Sequence, residues 1–78
     1  MAGTTSVALG EEWPRGLTRR ERDVVDLLGA GMSNKEIARR LGLSVGTVKL
    51  YVHKVLYKAG ARSRYDLVLQ MATRSRAA

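Results

Sequence analysis

Cysteine is absent from the chain, which excludes disulfide stapling, cysteine-bearing zinc sites and thiol chemistry. Histidine occurs once, as His53, and a single imidazole cannot cage a metal. The residue pattern contains no paired carboxylates, no nucleophile beside a base and no metal-ligating cluster, so neither an enzyme nor a cofactor is expected. No apolar run approaches the roughly 20 residues that span a bilayer, and the first residues lack a basic flank followed by an apolar stretch. A membrane role is therefore not expected, and the expected location is cytoplasmic. No repeat recurs at a solenoid period. The 78 residues leave room for one domain and one core, near the lower limit for folding without a metal or disulfide.

What is present is positive charge, unevenly placed. Fourteen Lys and Arg stand against seven Asp and Glu, a formal net charge of +7. Between Lys35 and Arg64 lie Lys35, Arg39, Arg40, Lys49, Lys54, Lys58, Arg62 and Arg64, with Glu36 as the one acidic residue. That distribution favours a polyanionic partner, although basic membrane-surface and ribosomal proteins share it.

Periodicity predicts four helices. Residues 1–16 lack it and carry three glycines and Pro14, so they are read as a flexible leader or linker remnant, with Trp13 packing over the domain edge. Thr18 and Glu21 have the spacing of a capping box, and Val24, Val25, Leu27 and Leu28 form the apolar stripe of a first helix ending near 29–31. Ser33 and Glu36 repeat the box, and Met32 with Ile37 fits a hydrophobic staple. Ile37, Ala38 and Leu41 supply the buried side of a short second helix that Gly42 stops. Ser44 then caps a third helix from about Val45 to Ala59. Val48, Val52, Val55 and Ala59 share its inner side, while Gly46, Lys49, Leu50, His53, Lys54 and Tyr57 fall on the other. Ser63 and Asp66 predict a third capping box. The helix behind it has apolar breadth in Tyr65, Leu67, Val68, Leu69, Met71 and Ala72. Either it buries two faces in the monomer or it offers one to a second subunit. The ordered domain is placed at 17–73, with 74–78 as a frayed tail.

Two helices joined by a short turn, the second polar outward and anchored inward, are the essentials of a helix-turn-helix that enters the major groove of duplex DNA. Lys49, one turn into the third helix, is the first candidate for a base-edge or phosphate contact. Leu50 either meets a thymine methyl or is an ordinary surface leucine. His53 either donates to a phosphate or guanine or simply faces solvent. Lys54 and Lys58 suit flanking phosphates. Backbone N–H groups at Ser33, Asn34 and Lys35, and at Ser44 to Gly46, are candidate phosphate receivers. The Thr47 hydroxyl either joins them or bonds within its helix.

The residues that carry this reading also resemble a known family. The run Leu17-Thr18-Arg19-Arg20-Glu21-Arg22 is followed by Gly31-Met32-Ser33-Asn34-Lys35-Glu36-Ile37-Ala38, then by Leu41, Ser44, Thr47-Val48-Lys49, Lys58 and Arg64. Together they resemble the C-terminal domain of LuxR-type transcription regulators, also called the GerE or NarL/FixJ type, over about Leu17 to Met71. The resemblance implies a compact all-α domain of four helices, often the output domain of a bacterial response regulator. In it the third helix reads DNA and the fourth pairs two subunits on two half-sites. Lys49, Leu50 and His53 match DNA-contacting positions. Tyr65, Leu67, Val68, Met71 and Ala72 become the candidate dimerisation residues. Double-stranded DNA, a second copy of the chain, RNA polymerase and an N-terminal regulatory domain missing from this chain are the partners implied. Tyr51, Ala59 and Gly46 depart from the family pattern of histidine, leucine and a polar residue, and glycine in a first helical turn costs up to about 1 kcal/mol. Two other readings of the motif are a sigma-factor-like promoter-reading region and a protein-binding adaptor that keeps the fold.

Overall fold

The computed structural model of the chain describes residues 13–77, with side chains through Arg74. Residues 1–12 of the expected leader lie outside the described residues. Four helices and no strand are present among those described: α1 (Arg19–Gly29), α2 (Asn34–Leu41), α3 (Val45–Ala59) and α4 (Arg64–Ala77).

Local chemistry sets each boundary. At α1, Thr18 Oγ1 accepts the Glu21 N–H at 3.1 Å and Glu21 Oε1 accepts the Thr18 N–H at 2.9 Å, so two orphan donors are satisfied reciprocally. Ser33 and Glu36 repeat this at α2, at 3.1 and 2.8 Å. Helix α2 ends where Gly42 turns left-handed at φ 70°, a conformation that strains any residue with a Cβ. Ser44 caps α3 by accepting the Thr47 N–H at 3.0 Å, so only Gly42, Leu43 and Ser44 join α2 to α3. The expected third box is incomplete. Ser63 Oγ accepts the Asp66 N–H at 3.0 Å, but Asp66 Oδ2 accepts from Arg62, not from Ser63.

The core is built from the predicted stripes. Val24, Val25 and Leu28 of α1, Ile37 and Ala38 of α2, Val48, Val52 and Val55 of α3 and Leu67 of α4 are buried together. Helix α3 packs on the other three, most extensively on α1 and α2. Fixed from two directions by its valine row, it cannot rotate about its axis without exposing that row. Burying a valine contributes roughly 1.5–3 kcal/mol relative to exposure, so the row holds α3 in one orientation.

Described structure extends on both sides of 17–73. Pro14 is buried, Trp13 packs on the core, and the Arg74 guanidinium lies 4.1 Å from the Trp13 ring centroid. Helix α4 runs to Ala77, so it includes most of the segment 74–78 read as a tail. The packing role expected of Trp13 matches its position, but the segment from Trp13 to Gly16 lies against the domain instead of standing off as leader.

Candidate nucleic-acid interface

The outward side of α3 carries the residues that periodicity assigned to it. Lys49, His53 and Lys54 are exposed, Leu50 is 64% exposed and Tyr57 85% exposed, while Val48, Val52 and Val55 face the opposite way into the core. Lys54 Nζ stands 6.0 Å from the ring centroid of Tyr51, at the limit of cation–π attraction. Tyr51 is half-buried and packs on the core beside the valine row, filling the margin of the helix.

Electrostatics distinguish this side from the rest of the surface. No acidic residue occurs from Ile37 to Tyr65. Among the described residues Lys49 and Lys54 of α3 form no ion pair, whereas Arg19 and Arg20 flank Asp23 at 3.7 and 3.8 Å. The two helix entries also differ. The first turn of α3 has no acidic residue, so its positive dipole end is uncompensated. The first turn of α2 holds Glu36, and the Ser33 N–H, then its hydroxyl, keep that carboxyl below its usual range and therefore ionised near neutrality.

The geometry bears on several candidate contacts. The Ser33 N–H, expected to receive a phosphate, is taken by the Glu36 carboxylate, whose charge would also repel an anion. Asn34 and Lys35 remain at the α2 entry, half-buried and exposed. Ser44 Oγ caps α3 and donates to Thr47 Oγ1 at 2.9 Å, so the Thr47 hydroxyl accepts from its own cap while its proton is unused among the described bonds and stays open to a phosphate. Lys58 is turned away from the open side of α3. Its Nζ reaches Glu21 Oε1 at 2.7 Å and the Gly16 carbonyl at 2.9 Å. Glu21 is 3% exposed, and a buried carboxylate without a cation would be strongly destabilising. Lys58 thus neutralises the core edge and commits two of its three ammonium donors there, which reduces what it can offer a flanking phosphate. Its hydrogen bond, then the Thr18 N–H, hold the Glu21 carboxyl below its usual value against the opposing effect of burial.

The candidate dimer surface on α4 also shrinks. Leu67 is completely buried and has nothing to offer a second subunit. Met71 lies over Gly29, where a Cβ would come within 2.5 Å of its methyl carbon, so it serves the α1–α4 contact. Val68 is half-buried, and Tyr65 and Ala72 are exposed. Leu69, left out of the expected set, is 49% exposed. The apolar breadth of α4 is thus divided: Leu67 and Met71 are used within the monomer, while Tyr65, Leu69 and Ala72 stay exposed and Val68 half-buried.

Sequence reasoning assigned no role to the Arg64 side chain. Its guanidinium, carried on the first residue of α4, donates to Asn34 Oδ1 at 2.8 Å and to the Met32 carbonyl at 2.7 Å, tying α4 to the entry of α2. Among the described residues no three side chains of His, Asp or Glu gather as a metal site would require. No described helix is long and apolar enough to cross a membrane.

Two helices joined by a glycine-initiated turn, the second anchored inward and basic outward, define a helix-turn-helix domain. The family described as bacterial regulatory proteins, luxR family, matches residues 15–71. The chain belongs to that family, a family of regulators and not of enzymes. A Mycobacterium bovis protein, Mb0914c, named provisionally as an HTH-type transcriptional regulator, is 48% identical over 58 residues, 74% of this chain and 7% of that protein. The nitrate/nitrite response regulator protein NarL of Escherichia coli K12 is 46% identical over 50 residues, 64% of this chain and 23% of that protein. The response regulator Rre1 of Synechocystis is 47% identical over 51 residues, 65% and 22% of the respective chains. The chain therefore spans less than a quarter of the length of these relatives.

Proposed function

We propose that this domain binds double-stranded DNA sequence-specifically and so regulates transcription, with α3 entering the major groove. The observation that carries the reading is the division of α3 into a buried valine row and an opposite side bearing Lys49, Leu50, His53, Lys54 and Tyr57, on a helix without a carboxylate. A groove about 12 Å wide accepts one such helix between two rims of phosphate. Lys49 lies near the entering end and reads base edges, with Leu50 beside it for a thymine methyl. Lys54 meets the phosphate rim, and His53 lies between them. The regulators named among the relatives support transcription control as the purpose of this binding. A second copy, paired through the exposed Tyr65, Leu69 and Ala72 and the half-buried Val68, places a second α3 on an adjacent half-site.

The test is equilibrium binding to duplexes selected from a random pool, measured over a salt series. Lys54→Ala is expected to weaken binding to every duplex alike and to lower the salt slope by about 0.9, the loss of one phosphate contact. Lys49→Ala is expected to lose, in addition, about 1–3 kcal/mol of discrimination against mismatched sites. A wild-type chain that selects no sequence, or two variants that bind as the wild type does, would overturn the reading.

A further inference from the structure

We infer that Arg64 is a positioning residue for DNA binding: it turns the Asn34 side-chain amide so that its NH2 group faces outward as a donor to a backbone phosphate oxygen. This rests on the reading of the domain as a DNA binder and names a contact that the α3 residues do not supply.

An asparagine amide has a donating and an accepting end, and which end faces outward depends on its neighbours. Here the neighbour admits one answer. Arginine only donates, so the 2.8 Å bond from Arg64 requires the amide oxygen to face the guanidinium and the nitrogen to point away from it. The second bond, to the Met32 carbonyl at 2.7 Å, fixes the plane of the guanidinium on the backbone just before the Ser33 cap. A planar fork held at two acceptors cannot swing to release the amide without breaking both bonds. No described hydrogen bond uses Asn34 Nδ2, and no buried side-chain polar atom lacks a partner among the described residues, so the nitrogen reaches solvent. In a helix-turn-helix the first helix crosses the phosphate backbone, and asparagine is a regular phosphate donor. An amide free to flip would present its oxygen part of the time, and that end repels a phosphate. The Arg64 bond removes that orientation. It joins residues 30 apart in sequence, so the fourth helix sets a donor on the second.

The experiment measures binding of the full chain to its selected duplex, over a salt series, for wild type, Asn34→Ala, Arg64→Met and the double variant. Asn34→Ala is expected to weaken binding about 3- to 10-fold, the range of one hydrogen bond to a charged group, and Arg64→Met by a smaller factor, because a freed amide still presents its NH2 group part of the time. The double variant should be no weaker than Asn34→Ala. The salt slope should stay at the wild-type value throughout, because a neutral amide releases no counterion. A merely structural Arg64 would leave Asn34→Ala binding as wild type does, and an Arg64 that met phosphate itself would lower the slope by about 0.9. Either result, or losses that multiply in the double variant, overturns the inference. Should Arg64→Met not fold, Arg64→Lys takes its place with the same expectations, since an ammonium is a point charge that cannot hold both acceptors in one plane. Loss of all wild-type duplex binding sinks the DNA reading and this inference together, whereas wild-type binding with an unaffected Asn34→Ala sinks this inference alone.

Discussion

Replacing Lys58 by methionine keeps the stem of the side chain and deletes its charge, leaving the Glu21 carboxylate with the Thr18 N–H at 2.9 Å as its remaining partner among those described. Removing one member of a fully buried pair costs about 3–5 kcal/mol. The Lys58 side chain is 31% exposed and solvent screens part of its attraction, so the expected loss is about 2–3 kcal/mol. For a domain of this size that lowers Tm by about 10–20 °C. Thermal melts followed by far-UV circular dichroism over a pH series supply both magnitude and sign. The folded-state pKa of Glu21 lies below its usual 4.5, so its ionised form contributes stability above that value, and the contribution is lost as pH falls through the folded pKa. The gap between wild type and Lys58→Met should therefore be full at pH 7 and close on acidification below the usual carboxylate range. A gap that is constant or widens in acid would refute the reasoning. So would an unchanged Tm accompanied by a shallower salt slope on DNA, which would return Lys58 to the phosphates.

The two sides of α3 should respond oppositely to truncation. Val55→Ala, at a fully buried site, should cost about 2 kcal/mol in urea unfolding. Leu50→Ala should change stability by less than about 0.5 kcal/mol while weakening or re-specifying duplex binding. Gly42→Ala forces a Cβ into the left-handed region at φ 70° and should cost about 1–2 kcal/mol in the same assay, although open space surrounds the site.

What was legible in the sequence was what is decided over three or four residues. The boxes at Thr18–Glu21 and Ser33–Glu36, the Gly42 stop and the valine row of α3 depend on neighbours within one or two turns, and each forms as the spacing implied. Asp66 shows the margin of that legibility, since its carboxylate found the N–H of Arg62 instead of Ser63. Lys58 and Arg64 were not legible as structural ties, because their partners lie 37 and 30 residues away. To sequence pattern alone both are further positive charges in a basic stretch. The apolar breadth of α4 left a real ambiguity, and three-dimensional packing settles it for Leu67 and Met71, which lie in the core and over Gly29, and not for the exposed Tyr65, Leu69 and Ala72. The Trp13 to Gly16 segment was hidden for a similar reason. A buried proline, a tryptophan under Arg74 and a carbonyl under Lys58 have no periodicity to announce them.

Backbone amide chemical shifts of the labelled chain, followed through titration with a selected duplex, test most directly whether α3 presents its basic side to DNA. The largest changes are expected at Lys49, Leu50, His53 and Lys54 and around the α2 entry at Asn34 and Lys35, while the outer side of α1 around Asp23 and Asp26 stays still. Changes centred on α1 or on the exposed side of α4, with residues 49–54 unmoved, would contradict the account.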